Sequence, residues 1–217
     1  MLMLDTTEYL KDQGLADQVF TDEEFEWLFD GSPAKRYALM NKALNKKEII
    51  RLIRGVYIIA PKYRSVNFSK FFISTRLVHG SYVSLESALS YHGWIPERVE
   101  TTTCVIGNGR ARTFNTPLGQ FKFQKIPTNE YEFLNSVQRK EENGKPFLLA
   151  TPLRALADYV YEKKIKWTGI DHIIESLRVE EESLESIKTE NFSEVMLVYR
   201  NKRVLEYLQQ LKLALGK

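Results

Sequence analysis

Between residues 21 and 60 the chain marks the ends of its own elements, and their order leaves few folds open. Thr21, followed three residues later by Glu24, is a capping box that starts a helix near Asp22. Gly31 ends that helix. Ser32 is a good N-cap and Pro33 stands at the first helical position, where its missing N–H costs nothing, so a second helix runs to about Lys46. Two β-branched and aromatic runs follow, IIRLI and VYIIA, around Arg54-Gly55. Arg-Gly is not a preferred type I′ pair, which points to a hairpin loop longer than two residues. Upstream, TTEYLKDQG reads as a short helix stopped at Gly14. Three helices and then a hairpin is the order of a winged helix-turn-helix, and Pro61 closes the unit.

Charge is segregated along this stretch. Residues 1–31 carry nine acids and one base, net −8, while residues 32–64 carry nine bases and one acid, net +8. The remaining residues hold 21 bases and 18 acids, so the whole chain is only +3 and its sum explains little. A basic block of this kind suits a polyanion. The plainer reading is that the two blocks neutralise each other within one domain. The single cysteine, Cys104, rules out an internal disulfide and suits a reducing compartment. The acidic start MLMLDTTEYLKDQG lacks the basic and apolar regions of a secretory signal, and no apolar run is long enough for a membrane span. The expected location is the cytoplasm.

Past the linker-like YRSVNFS, FFISTRLVHG is a helix or strand of open type, and Ser84 caps a short helix, LESALSYH, that stops at Gly93. TTTCVIG, RTFNT and QFKFQKI read as an antiparallel three-strand meander, with Asn108-Gly109 as its first turn and Pro117–Gly119 as its second. Thr151-Pro152 starts a helix through PLRALADYVYEKK, and further helices are expected from Ile170 and from Ser193 to near the end. The fold class is α+β: a winged helix-turn-helix over 1–62, then an α+β domain over 66–217 with a meander and C-terminal helices.

On a wheel advancing 100° per residue, Tyr37, Met40 and Leu44 form the apolar stripe of the basic helix. Lys35, Leu39, Lys42 and Lys46 then face outward, flanked by Arg36. Leu39 is the misfit: either it touches a thymine methyl, or the helix is rotated so that it packs inside, and the second is taken first. In a helix-turn-helix the start of the second helix meets base edges, which assigns Lys35, Arg36 and Leu39 to readout. Arg51 and Arg54 on the hairpin would reach phosphates or the minor groove, and Lys46 at the helix end would meet a phosphate.

Several stretches resemble a known family. KALNKKEIIRLIRGVYI, YVSLESALSYHGWIPERV, TPLGQFKFQKI and LLATPLRALADYVY are similar to the AbiEi-type antitoxins of type IV toxin–antitoxin systems. The resemblance runs from about Asp5 to Tyr161, and RGVY (54–57), SLESALSYHG (84–93) and ATPLRALAD (150–158) carry it. It implies a regulator that represses its own operon, whose operator would hold inverted repeats. It also implies a C-terminal domain that counteracts a nucleotidyltransferase-like toxin, indirectly.

Catalytic patterns are missing. There is no GxSxG, P-loop or full GxGxxG; GNGRAR has only the first two glycines. His79, His92 and His172 are far apart in sequence, which argues against a metal site. Glu162-x-Lys164 falls at a helix end, and Ser84 and Ser87 read as caps rather than nucleophiles. A non-enzymatic protein without cofactors is expected. Arg110, Arg112, Lys122 and Lys125 on the meander suggest a second anion-binding surface, against the plainer reading of a solvated sheet face. The rival to DNA binding is a protein-interaction module whose basic helix meets an acidic partner.

Overall fold

The computed structural model describes residues 6–217; the first five residues of the acidic start lie outside them. The architecture is α+β. In the first unit α1 (Thr6–Asp12) leads to β1 (Val19–Thr21), α2 (Asp22–Leu28), α3 (Pro33–Asn45), β2 (Ile49–Ile53) and β3 (Val56–Ile59). The caps are formed as expected. Thr21 Oγ1 accepts from the Glu24 N–H and the Glu24 carboxylate accepts from the Thr21 N–H, at 3.2 and 2.7 Å. Ser32 Oγ accepts from the Lys35 N–H at 3.3 Å. The hairpin loop is shorter than the Arg-Gly pair suggested: Ile53 pairs with Val56, leaving only Arg54 and Gly55 in the turn. Gly55 permits this with φ +77°, and a Cβ there would meet Asp22 Oδ2 at 3.2 Å. An irregularity between Arg51 and Ile53 absorbs the misfit.

The three-stranded sheet, in the order β1-β3-β2, is buried on both faces. Phe20, Tyr57, Ile49 and Ile59 pack on α1–α3 with Leu10, Phe25, Met40 and Ala43. Val19, Leu52 and Ile58 turn the other way and join the core of the second unit. The linker is pinned too: Asp17 Oδ1 accepts from the N–H groups of Ser65 and Val66 at 2.9 and 3.2 Å.

The second unit is a six-stranded mixed sheet. The open segment FFISTRLVHG contains a helix, α4 (Lys70–Leu77). Then come β4 (Ser81–Val83), α5 (Leu85–Tyr91), β5 (Thr102–Ile106), β6 (Arg112–Thr116), β7 (Gly119–Lys125), β8 (Val137–Glu142) and β9 (Lys145–Ala150). Four α-helices follow, α6 (Pro152–Glu162), α7 (Glu181–Glu185), α8 (Thr189–Val198) and α9 (Lys202–Ala214), and the helix expected from Ile170 is a short π-helix, His172–Ser176, between α6 and α7. Strand order is β6-β7-β5-β4-β9-β8.

The expected meander is not what forms. β7 inserts between β5 and β6, pairing parallel with β5 and antiparallel with β6. Asn108-Gly109 therefore belongs to a crossing loop and not a hairpin. Burial explains the order: every residue of β5 is buried, as are Phe121 and Phe123 of β7, whereas β6 carries the exposed Arg112, Thr113 and Asn115 that suit an edge. Two hairpin signals do operate: the expected Pro117–Gly119 turn joins β6 to β7, and the second Asn-Gly pair, Asn143-Gly144, both at positive φ, joins β8 to β9. The helix expected from Ser193 to near the end is broken at Tyr199–Asn201, because Tyr199 turns inward and Asn201 caps α9.

Helices cover both faces of this sheet. Cys104 and Ser74 of α4 meet on one face, and α4 also touches the first sheet, where Arg76 Nη2 donates to Val19 O at 3.4 Å. On the opposite face α5 packs through Ser87, whose Oγ accepts from the Thr103 N–H at 2.8 Å. α6 lies beside α5 and under α8 and α9. No helix among the described residues is long and apolar enough to cross a membrane.

Candidate nucleic-acid interface

The basic helix presents a different face from the one the wheel assigned. Met40 and Ala43 are buried, with Leu39 and Leu44 packed beside them, while Tyr37 is 73% exposed. The core stripe is thus turned by roughly 85° from Tyr37-Met40-Leu44 toward Leu39-Met40-Ala43. The misfit at Leu39 is resolved by burial, not by a base contact. The rotation exposes Ala34, Tyr37, Ala38 and Asn45, with Asn41 half-exposed, and leaves Lys35, Lys42 and Lys46 along one flank.

Arg36 is committed elsewhere. Its Nη1 donates to Gly31 O at 2.7 Å and its Nη2 lies 3.8 Å from Glu26 Oε2, so it ties the α2–α3 turn together. That geometry removes it from the base-reading set that Lys35, Arg36 and Leu39 were expected to form. Lys46 pairs with Glu48 at 3.5 Å. Glu48 is the one acid of the basic block itself, so of these two pairs only Arg36–Glu26 joins the acidic block to the basic one. Lys35, Lys42, Arg51 and Arg54 remain exposed.

Arg51 lies in register with Tyr57 and Phe20, on the helix-bearing face of the sheet, so it and α3 front the same side. Burial and a hydrogen bond to Asp22 raise the Tyr57 phenol, and Arg51 acts against them. Arg54 sits at the turn, close to the acidic first turn of α2, since the Asp22 N–H donates to Gly55 O at 3.1 Å. The hairpin is thus a short stub held flush against α2.

The four cations expected to form a second anion-binding surface on the meander are divided between two faces. In register, Arg112 lies with Phe123 and Cys104, while Lys122 lies with Thr113 and Thr103 on the other face. Lys122 pairs there with Glu162 at 3.3 Å, and Lys125 closes β7 opposite Ile106. Arg110 is in the loop before β6. The inserted β7 and the period of two divide them, so no single second anion surface forms.

Two motifs far apart in sequence converge in a buried network that no local signal announced. Arg154 and Asp158, one turn apart on α6, are both fully buried, with Nε and Oδ1 3.5 Å apart. Arg154 also donates to Tyr82 Oη at 2.6 Å, Asn135 O at 2.8 Å and Phe133 O at 3.2 Å. Asp158 accepts from Tyr82 Oη at 2.9 Å, from Ser84 Oγ at 2.7 Å and from the Tyr199 hydroxyl. Ser84, expected to cap α5, thus spends its hydroxyl on Asp158. Burial first, and Asp158 second, push the Tyr82 and Tyr199 phenols well above their ordinary value, so both stay protonated as donors. This closed network is structural. Nearby, a cleft of about 490 Å³ is lined by Leu85, Tyr159 and two ion pairs, Lys163–Glu86 at 2.8 Å and Lys122–Glu162.

Among the described residues no three His, Cys, Asp or Glu side chains group as a metal site. No protein-family model matches the chain, and no curated protein is significantly similar to it.

Proposed function

We propose that this protein is a sequence-specific, double-stranded DNA-binding transcriptional regulator, an AbiEi-like antitoxin that represses its own operon and opposes a nucleotidyltransferase-like toxin. One observation carries the DNA-binding part: the order α1-β1-α2-α3-β2-β3 with sheet order β1-β3-β2 sets a lysine-flanked, solvent-exposed α3 beside a short hairpin. This is the arrangement in which a winged helix-turn-helix offers its second motif helix to the major groove. Lys35, Lys42, Arg51 and Arg54 lie where they could meet phosphates on the two sides of that groove. The antitoxin part rests on the sequence resemblance, whose motifs 84–93 and 150–158 meet in the Asp158 network. The protein acts by binding rather than catalysis in this reading.

The test is fluorescence anisotropy of the full-length protein with the DNA upstream of its gene and with a scrambled duplex, across several salt concentrations. Lys42→Ala and Arg51→Ala should each lower the slope of log K against log salt by about one, on both duplexes. Absence of binding to any duplex at low salt, together with binding to an acidic protein partner, would favour the interaction-module rival. For the antitoxin part, co-expression with the neighbouring toxin should restore growth.

A further inference from the structure

We infer that the sequence of the DNA is read by the stripe Ala34, Tyr37, Ala38 and Asn41, with Asn41 contacting an adenine in the major groove; this rests on the DNA-binding reading above. The four residues follow the i, i+3, i+4, i+7 spacing of one helix face. They are the face that the rotation of α3 turns outward, opposite the buried Met40 and Ala43.

Each residue type fits a groove. Ala34 and Ala38 hold the surface low, so the helix backbone can approach the base edges, and their methyls suit thymine methyl groups. Tyr37, 73% exposed, gives up apolar area to water for no gain to the fold. Asn41 is the most telling. Asparagine is a poor mid-helix residue because its amide competes for backbone groups. Its side chain makes no hydrogen bond among the described residues, so folding does not account for it. An unpaired amide can bond both N6 and N7 of adenine, which no other base presents in the same pattern. Lys35 and Lys42 flank the stripe on one side, where a phosphate backbone would run. Of the residues that position at the start of the helix favoured, Arg36 is tied to Gly31 and Glu26, and Leu39 packs against the core.

The experiment is selection from a randomised duplex library with full-length wild-type protein, Asn41→Ala and Lys42→Ala, followed by binding to the selected site. Wild-type protein should yield a site in which one adenine–thymine pair is required. Asn41→Ala should lose that requirement, binding the selected site about 5- to 150-fold more weakly. Its binding to scrambled DNA and its thermal stability should be unchanged or raised, since alanine favours the helix. Lys42→Ala should weaken binding to both duplexes alike. If Asn41→Ala keeps the wild-type preference at every position, this inference falls while DNA binding stands. If the wild-type protein binds no duplex at low salt, both fall.

Discussion

Removing either charge from the Arg154–Asp158 pair should be among the most damaging single changes in the second unit. Both side chains are fully buried, so neither ion can recover its hydration once its partner is gone. Breaking a buried pair this way costs about 3–5 kcal/mol. The two directions are not equivalent. In Arg154→Met the Asp158 carboxylate still accepts from Tyr82, Ser84 and Tyr199, and the carbonyls of Phe133 and Asn135 lose a donor. In Asp158→Leu the guanidinium keeps only neutral acceptors and three hydroxyls lose theirs, at about 1–3 kcal/mol for each orphaned group. Arg154→Met should therefore fall near the lower end and Asp158→Leu at or above the upper one, against a total stability of about 5–15 kcal/mol. With a urea m-value of about 2–3 kcal/mol/M, the loss for Arg154→Met appears as a midpoint lower by about 1–2 M. Equilibrium unfolding followed by tryptophan fluorescence measures it, since Trp94 is buried and Trp167 packs edge-on against Tyr207. The double variant Arg154→Met/Asp158→Leu removes both ions and should be no worse than Asp158→Leu alone. Strictly additive losses, or a loss under about 1 kcal/mol for Arg154→Met, would refute the picture of a coupled buried pair.

Two other outcomes are expected. A fragment of residues 1–62 exposes Val19, Leu52 and Ile58, each worth about 1.5–3 kcal/mol when buried, so it should unfold at lower urea than the whole chain; extension through α4 should restore part of the loss. A 1–62 fragment as stable as the full chain would show that the shared face contributes nothing. Burial lowers the His92 imidazole; its Nε2 bond to Ala150 O opposes this and the charge of Lys140 adds to it. The unfolded chain then takes up the proton first, so the stabilisation is full above the unfolded pKa of about 6.5 and is lost as pH falls through the lower folded value. Urea midpoints between pH 8 and pH 5 should fall more steeply for wild type than for His92→Gln, and equal slopes would contradict this.

Features set by a few neighbouring residues are legible in the amino-acid sequence alone. The Thr21–Glu24 box, the Ser32-Pro33 start of α3 and the strands around Gly55 depend on backbone groups within a turn or two of the residues that satisfy them; α5 and α6 are legible from the stops and starts at Gly93 and Pro152, although neither Ser84 nor Thr151 caps with its side chain. Their order, helix, helix, helix, hairpin, is legible for the same reason. The candidate interface is legible only as a charge pattern. Which face of α3 turns outward depends on how Leu39, Met40 and Ala43 meet the sheet, and a wheel with apolar residues on several sides has more than one solution. Arg36 becomes recognisable as a structural tie only once Gly31 O and Glu26 lie within its reach. Strand order is likewise hidden: Asn108-Gly109 and Asn143-Gly144 carry the same local signal, yet only the second closes a hairpin. The first cannot, because the fully buried β5 takes both its partners, β4 and β7, from elsewhere in the chain. The same holds for Asp158, whose partners Tyr82, Ser84 and Tyr199 stand 41 to 76 residues away. Pairings at that separation are selected by the burial of the whole core, and no short-range preference encodes them.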